Sequence, residues 1–365
     1  MLSQPTAPFY EGRVIAHLET EAARLGVRCR RDRHGNVLWE YRKGRATTPV
    51  AFTAHMDHPG LEVVAGGARD ALALWHGQAP PFPLDGQRVA IYRGVEGLKV
   101  RGRIIGPVER SDIDAARAFP IAVSSPVAPG DFGHFDLVPF RLARWRRGEL
   151  AVTKGADNLG GCAAIVLLFE MLQQERPAAH VTGVFTRAEE VGFYGALGIV
   201  KERALAKGTW VIVLETSKAL PMAEIGLGPV IRVGDRARIF DSDLLYAMKR
   251  VADDLARSDP AFRYQMRVMD GGTCEATPYV LQGYKAAGIA FPLGNYHNVG
   301  RTGVRPEHIS VEDVVCGLAL MRDLALRSGE LAGLIAAQKS AIFGKLDEKL
   351  ARLRSVPLPP PPSQR

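Results

Sequence analysis

The later part of the chain alternates between strand-like and helix-like segments, and this alternation limits its fold more than any other feature. Residues 158–175 and 241–257 have helical character, whereas 180–186 and 209–216 are short apolar runs typical of buried strands. An earlier strand-like run, 48–57, ends in "AHMD". Strands that alternate with helices indicate a sheet covered on both faces. We therefore predict an α/β fold with a mostly parallel central sheet flanked by helices.

A different pattern interrupts this sheet after its first strand. Residues 61–150 contain short strand-like runs, many glycines and prolines, and little helical periodicity. Such a pattern is typical of a small all-β unit. We predict an inserted β-rich domain at 61–150 and a discontinuous α/β domain made of 1–60 and 151–330. Residues 331–365 form a C-terminal tail, predicted to be helix-prone and then, in "PLPPPPSQR", Pro-rich and disordered.

Composition excludes several classes of partner. The formal charge is +8, but the basic residues are spread along the chain, with no zinc-finger spacing or RNA-binding signature, so we expect no nucleic-acid partner.

The four cysteines are scattered without CxxC spacing, which is typical of reduced thiols. The first residues lack the basic and apolar segments of a secretory signal. We expect a cytoplasmic protein that does not bind a membrane.

Polar residues follow several of the predicted strands. Ligands gather at the carboxyl ends of strands in an open parallel sheet, so these side chains should converge on one edge. The residues at those ends, including the start of the helix after the insert, are His55, Asp57, Asp157, Glu189, Glu190, Glu215 and His297. Nitrogen and oxygen donors without thiolates suit Zn, with Co or Mn as alternatives. The sequence therefore predicts a metal site.

The number of carboxylates favours two metal ions over one. Paired ions lie about 3.5–4 Å apart and share a bridging carboxylate, for which a short Asp at a helix start is well suited. Asp57 lies two residues after His55, on the same face of a strand, and can accept the other imidazole N–H of His55. Of Glu189 and Glu190, one can bind metal while the other stays free as a general base for metal-activated water.

Six motifs, in order along most of the chain, resemble the glutamyl, deblocking and tetrahedral (TET) family of dinuclear metallo-aminopeptidases. They are "AHMDHPG", "GADNLGGC", "TRAEEVGFYGA", "LETSKA", "GLGPVIRVGD" and "NYHN". The resemblance implies that the α/β domain is the catalytic metallopeptidase domain. It implies that the insert is a dimerisation or oligomerisation domain. The expected assembly is a dimer or a larger assembly of dimers.

The same resemblance assigns a role to each site residue. It implies that His55, Asp157 and Glu215 hold one metal, with Asp157 bridging, and that Glu190 and His297 hold the other. Glu189 would be the general base and Asp57 the partner of His55. Glu215 stands where the family usually has Asp.

Three functions remain open at this point. The first is a metal-dependent aminopeptidase that hydrolyses N-terminal residues from peptides. The second is a dinuclear deacylase or amidohydrolase that acts on small N-acyl substrates. The third is a scaffold without catalysis, against which the intact Glu189–Glu190 pair argues.

Overall fold

The computed structural model describes residues 1–45, 48–95, 97, 99–106, 109–110 and 117–358. In these ranges the helices are α1 Gly12–Leu25, α2 Ala156–Glu175, α3 Tyr194–Lys201, α4 Ser242–Ser258, α5 Ala276–Leu281, α6 Val311–Phe343 and α7 Leu346–Ser355, with a 3-10 turn at Tyr296–Asn298. The strands before α2 are β1 Arg28–Arg31, β2 Val37–Lys43, β3 Val50–His55, β4 Gly60–Ala65, β5 Asp70–His76, β6 Arg88–Tyr92, β7 Lys99–Ile104, β8 Glu109–Arg110, β9 Arg117–Val123, β10 Phe132–Phe135, β11 Phe140–Trp145 and β12 Gly148–Thr153. Those after it are β13 Ala179–Thr186, β14 Trp210–Lys218, β15 Val230–Asp235, β16 Gln265–Met269, β17 Lys285–Gly294, β18 Val299–Gly300, β19 Gly303–Val304 and β20 Glu307–Ser310.

A large mixed sheet forms the centre of the molecule. Its strand order is β1-β2-β13-β3-β14-β17-β20-β12-β11, and β15 and β16 attach beside β17. The four strands from β13 to β17 in this order are parallel, whereas both flanks are antiparallel. The predicted α/β class with flanking helices is confirmed, and the sheet is parallel at its centre. The outermost pairs, β1–β2 and β11–β12, are hairpins, whose short turns make them antiparallel.

Local signals in the sequence place the helices. The apolar residues Val14, Ile15, Leu18 and Ala22 form the buried face of α1, and Gly26 ends the helix in the left-handed conformation at φ 64°. The Asp241 carboxylate accepts the N–H of Leu244 and caps α4. Such caps satisfy amide groups that have no partner within the helix, so they fix where each helix begins.

Helix α2 is the central helix of the core. By length and composition alone it could span a membrane, but 72% of the apolar 18-residue stretch that qualifies is buried inside the protein. It packs against β3 and β14. Gly183 of β13 allows a close approach, because a Cβ there would lie 2.8 Å from the side chain of Ile165. The apolar character of α2 is therefore explained by its burial in the core.

The second sheet is a small closed barrel within the predicted insert. Its order is β5-β4-β10-β6-β7-β9-β8, and β5 also pairs with β9, which closes the sheet. Closure removes free strand edges, and the interior is filled by apolar side chains such as Trp75, Phe119 and Phe135.

The boundary predicted for the insert at residue 150 lies too far along the chain. Strands β11 and β12, at 140–153, belong to the large sheet, where Leu150 lies opposite Ser310. Alternating polarity indicates a strand but does not tell which sheet the strand joins, and the range 61–150 therefore included both. The Pro-rich residues 359–365, predicted to be disordered, lie outside the described residues.

The start of α6 ties two parts of the α/β unit together. The Ser310 hydroxyl accepts the N–H of Asp313 at 3.3 Å, as expected for a capping box. The Asp313 carboxylate does not turn back to Ser310 but accepts the N–H groups of Gly226 and Gly228, each at 2.7 Å. Burial raises the pKa of Asp313 to about 6, against the effect of these two hydrogen bonds. Asp313 thus fixes the loop before β15.

Candidate metal centre

The residues predicted to form the site lie around one cavity at the carboxyl ends of the parallel strands. The cavity has a volume of about 430 Å³. It is lined by five ligand candidates and the proposed base, namely His55, Asp157, Glu189, Glu190, Glu215 and His297. Asp57 lies behind this wall and is fully buried. The register of β3, β13 and β14 explains the convergence, because parallel neighbours end at the same edge.

One group of ligand candidates consists of His55, Asp157 and Glu215. The Nε2 atom of His55 lies 3.4 Å from Asp157 Oδ1 and 3.2 Å from Glu215 Oε1. All three residues are buried. Their donor atoms lie within 4.8 Å of one another, close enough to share a single cation.

A second group consists of Asp157, Glu190 and His297. The Nε2 atom of His297 lies 3.5 Å from Asp157 Oδ2 and 3.2 Å from Glu190 Oε1. These donor atoms also lie within 4.8 Å of one another. Asp157 is common to both groups and presents a different oxygen to each histidine. This is the arrangement in which one carboxylate can bridge two ions.

Several donor atoms at the site lack hydrogen-bond partners. Among the described residues, Glu190 Oε1 and both ring nitrogens of His297 are buried and make no hydrogen bond of good geometry, although Glu190 Oε1 and His297 Nε2 lie 3.2 Å apart. Leaving buried polar atoms unpaired costs about 1–3 kcal/mol each, so natural proteins pair them or bind ions with them. The residues present therefore fit divalent cations of the type that accepts nitrogen and oxygen ligands.

The electrostatics of the cluster also favour cations. Burial raises the pKa of Glu189 well above its usual range, with His55 opposing and Glu215 adding to the effect. Burial likewise raises the pKa of Glu190, with His297 opposing the effect. It also raises the pKa of Glu215, with His55 opposing the effect. Several carboxylates enclosed in a small volume repel one another and require positive charge for full ionisation.

Buried side chains hold the turn that carries the two glutamates. The N–H groups of four consecutive residues, 187–190, each donate to a side-chain oxygen. Asn36 Oδ1 accepts the first at 3.1 Å and Glu11 Oε1 the second at 2.9 Å. Asp57 Oδ1 and Oδ2 accept the N–H groups of Glu189 and Glu190 at 3.0 and 3.1 Å. The direction of both glutamates is therefore set from outside their own turn.

The position of Asp57 differs in detail from the sequence-based expectation. Its Oδ1 atom lies 3.5 Å from Nδ1 of His55, whereas its backbone oxygen is closer, at 3.2 Å. The carboxylate instead approaches the amides of the Glu189–Glu190 turn most closely. Asp57 thus contacts both His55 and the glutamate turn, because β3 and β13 are adjacent.

Glu307 organises the opposite side of the site. It is fully buried, and its carboxylate accepts the N–H of Asp157 at 3.0 Å and the N–H of His297 at 2.8 Å. Burial is the main reason why its pKa rises to about 8, with the charge of Asp157 adding to the effect. Sequence reasoning missed both Glu307 and Glu11, since a single Glu beside a strand or helix is usually solvated.

Two basic residues, Arg232 and Lys218, also line the cavity. Arg232 is only 3% exposed, and its guanidinium reaches Ser217 Oγ at 3.3 Å and the backbone oxygens of Met269 and Gly272 at 3.4 Å. Its Nε atom has no partner among the described residues. Lys218 also lines the cavity, so a ligand in this region meets positive charge.

The fold of this chain is similar to the folds of several TET peptidases. The TET aminopeptidase of a marine-sediment Thaumarchaeota archaeon is 20% identical with a TM-score of 0.76, over 92% of this chain and 97% of that one. The TET1 peptidase of Pyrococcus horikoshii, which can assemble into a tetrahedron or a large octahedral shell, is 21% identical with a TM-score of 0.71 over 88% and 96%. At these identities the likeness establishes the fold.

Similarity in sequence identifies the family of this chain. A protein of Acetivibrio thermocellus described as a putative aminopeptidase is 24% identical over 275 residues, or 73% of this chain and 80% of that protein. The model of the M42 glutamyl aminopeptidase family matches residues 113–306, more than half of the chain. This range contains Asp157, both glutamates of the turn, Glu215 and His297. The chain belongs to the M42 glutamyl aminopeptidase family.

Proposed function

We propose that the protein is a dinuclear metal-dependent aminopeptidase that removes N-terminal residues from peptides. The observation that carries the proposal is the shared position of Asp157 between two ligand groups, with His55 on one side and His297 on the other. Family membership supports the peptidase activity. The number of ions, their identity and the roles of single residues are part of the proposal.

The ligand assignment follows the two groups. His55, Asp157 and Glu215 would hold one ion, and Glu190 and His297 would hold the other together with the bridging Asp157. Zn is the first choice for such a donor set, with Co or Mn as alternatives. Two divalent ions bound there would supply Lewis-acid chemistry, which lowers the pKa of water and polarises a substrate carbonyl.

Glu189 is the proposed general base. Its carboxylate lines the cavity, and its Oε2 atom lies 3.9 Å from Nε2 of His55, farther than either oxygen neighbour of that histidine in the first ligand group. Burial raises its pKa, which makes it a better proton acceptor than a solvated glutamate. It would take a proton from the attacking water and pass it to the departing amine.

The turn network supports this role by fixing the direction of the base. The hydrogen bonds from Glu189 and Glu190 to Asp57 orient the two glutamates separately, so that one can bind metal while its neighbour remains free. A base held in one position loses little entropy at the moment of proton transfer. Asp57 would act through His55 and this turn and would not touch the substrate.

Assembly and location complete the proposal. We infer a homo-oligomer, a dimer or a larger assembly of dimers, in which the barrel domain serves as an oligomerisation domain, and a cytoplasmic location. One TET1 structure of this fold is a dodecamer. Peptides are the proposed substrates, with no role for nucleic acid or membranes.

The proposal is tested by comparing free and blocked substrates. Protein loaded with Zn, Co or Mn should release the first residue from aminoacyl-anilides and free peptides. It should leave the same peptides intact when their N-terminus is acetylated. Hydrolysis restricted to N-acyl amino acids would instead establish the deacylase alternative, and inactivity toward both classes with metal bound would favour a scaffold.

A further inference from the structure

Tyr296 lines the cavity of the metal centre but has no role in the proposed ligand set or as the base. It precedes the proposed ligand His297 and lies in the short 3-10 turn that follows β17. Its side chain is partly buried and packs against an apolar cluster that includes Leu293 and Ile309. A phenol in this position can donate a hydrogen bond to a ligand in the cavity.

The backbone of the turn directs two aromatic rings to the same side. Asn295, His297 and Asn298 have φ angles of 57°, 53° and 61°, in the left-handed region. Neighbouring side chains of an extended strand point to opposite faces, and left-handed residues interrupt that alternation. The rings of Tyr296 and His297 are stacked, with their centroids 3.7 Å apart and their planes at 25°.

Hydrogen bonds hold this turn in place. The side-chain amide of Asn295 donates to the backbone oxygen of Pro306 at 2.8 Å. The N–H of His297 donates to Glu307 Oε1, also at 2.8 Å. Left-handed residues other than glycine persist where the surrounding structure fixes them in this way. Tyr296 is thus carried on a rigid support.

The hydroxyl of Tyr296 is available to a substrate. It makes no hydrogen bond to the described residues, whereas the hydroxyls of Tyr10 and Tyr41 donate to protein oxygens. Tyrosine hydroxyls removed from bulk water usually have such a partner. Thr216, another hydroxyl of the cavity wall, already donates to Asp157 Oδ1 at 3.2 Å. The phenol is therefore a free donor in the cavity wall.

This free donor lies close to the carboxylate shared by the two ligand groups. The ring of His297, on which Tyr296 stacks, places Nε2 3.5 Å from Asp157 Oδ2. Burial raises the pKa of Tyr296, and the charge of Asp157 adds to the effect. A charge has this effect on a group that is near it, so the phenol oxygen lies near Asp157. The proposed reaction takes place at the same carboxylate.

We propose that Tyr296 is a catalytic residue whose phenol O–H donates a hydrogen bond to the carbonyl oxygen of the substrate's first residue. When the water oxygen bonds to the carbonyl carbon, a C=O electron pair moves to the carbonyl oxygen, and the proton of the water passes to Glu189. When the C–N bond breaks, the C=O bond forms again and the departing amine takes the proton from Glu189. Tyr296 keeps its own proton and stabilises the charge that exists between the two steps.

This proposal rests on the proposed aminopeptidase function and adds one donor to it. Because the phenol would not be the sole positive group facing the carbonyl oxygen, its removal should weaken catalysis without abolishing it. A hydrogen bond to a charged group corresponds to about a 10- to 100-fold change in rate. A bond that strengthens only as the charge develops raises kcat and leaves KM little changed.

Tyr296→Phe, made in the full chain and loaded with Zn, tests the proposal. The change removes the hydroxyl but keeps the ring on His297, so metal content and melting temperature should match those of the unchanged protein. With a leucyl-anilide, we expect kcat to fall about 10- to 100-fold while KM stays near its original value. The matched control is Tyr246→Phe, because Tyr246 is 38% exposed on α4 and does not line the cavity. Its kinetics should not change.

Inhibitor binding separates a hydrogen-bond donor from a structural residue. A phosphinic analogue of a leucyl peptide carries a tetrahedral, negatively charged group in place of the scissile amide and therefore mimics the transition state. Its affinity for Tyr296→Phe should fall by about the same factor as kcat. The affinity of 3-methylbutylamine, which has the amine and side chain of leucine but no carbonyl, should stay unchanged.

Three results would overturn the proposal. The first is a near-normal kcat in Tyr296→Phe, and the second is a loss of metal, which would mean that Tyr296 acts through His297. The third is a fall in kcat with no selective loss of affinity for the phosphinic analogue. Each of these leaves the aminopeptidase function of the unchanged protein intact. Absence of peptide hydrolysis by the unchanged protein would instead refute the proposed function, and the role of Tyr296 with it.

Discussion

The Asp57 carboxylate accepts the backbone N–H of Glu189, with 3.0 Å between Oδ1 and the amide nitrogen. Its second oxygen accepts the N–H of Glu190 at 3.1 Å, and the same residue contacts His55. One buried side chain at the end of β3 thus positions a ligand candidate of one ion, a ligand candidate of the other and the proposed base. Asp57 does not line the cavity, so its effect on a bound substrate would be indirect.

The first prediction concerns Asp57→Asn. Asparagine keeps one acceptor oxygen but replaces the other by an NH₂ group, which cannot accept the second amide of the turn. We expect kcat or metal affinity to fall about 10- to 100-fold, the usual effect of changing a residue that orients metal ligands. Steady-state kinetics with metal analysis of the same sample check this. Unchanged kinetics at full metal content would refute the positioning role.

The second prediction concerns Glu11→Gln. Glu11 is fully buried and accepts from Ala188 N–H at 2.9 Å and from Nε of Arg187 at 2.7 Å. Loss of its charge leaves the Arg187 guanidinium without its ion-pair partner, and we expect a loss of about 1–3 kcal/mol in the free energy of unfolding. We also expect kcat to fall while KM stays near its original value. The turn that carries Glu189 becomes less rigid, whereas the rest of the cavity is unchanged.

A matched control separates these effects from a general loss of charge. Glu19→Gln removes an exposed carboxylate that pairs with Arg31 on the surface. Surface changes of this kind stay within about 0.5 kcal/mol, so stability and kcat should match those of the unchanged protein. Equal losses of stability and kcat in both variants would show that the contacts of Glu11 with the turn do not cause them.

The third prediction concerns removal of metal. Asp157, Glu190 and Glu215 are enclosed together, and their repulsion is relieved by bound cations. Ligands that bind only the native state stabilise it, so chelation should lower the melting temperature as well as abolish turnover. Adding back Zn, Co or Mn should restore both. A chelated sample with the original melting temperature would show that the cluster does not bind metal.

The fourth prediction concerns Arg232→Met. Arg232 and Lys218 both line the cavity, and the Nε atom of Arg232 makes no hydrogen bond within the described residues. We expect the change to lower kcat/KM about tenfold or more for substrates with an acidic first residue, because a charge-assisted hydrogen bond contributes about 1.5–3 kcal/mol. Substrates with leucine at that position should be affected less. Equal loss for both substrates would contradict selection by Arg232.

The sequence allowed most residues around the cavity to be predicted, because each of them lies at or just after the end of a recognisable strand or opens a recognisable helix. His55 ends β3, and Glu189 and Glu190 follow β13. Parallel neighbours end at one edge, so local patterns were enough to bring these residues together. The α/β class followed from the same alternation.

Other features could not be predicted, since they depend on contacts between distant parts of the chain. Glu11 meets Ala188 across 177 positions, and Glu307 meets Asp157 across 150. Before the fold is known, each is one of many glutamates near a helix or strand. The boundary of the barrel domain was misplaced for a similar reason, because the pairing of β12 with β20 is set by tertiary contacts.

The central claim is that Glu189 moves the proton while Glu190 binds metal, and kinetics with metal counting on two variants test it most directly. Glu189→Gln should keep both metal ions and lose about 10²- to 10⁴-fold in kcat, the usual contribution of a general base. Glu190→Gln should lose metal affinity. If Glu189→Gln turned over at a near-normal rate with both ions bound, Glu189 would not be the base and the account of the site would be wrong.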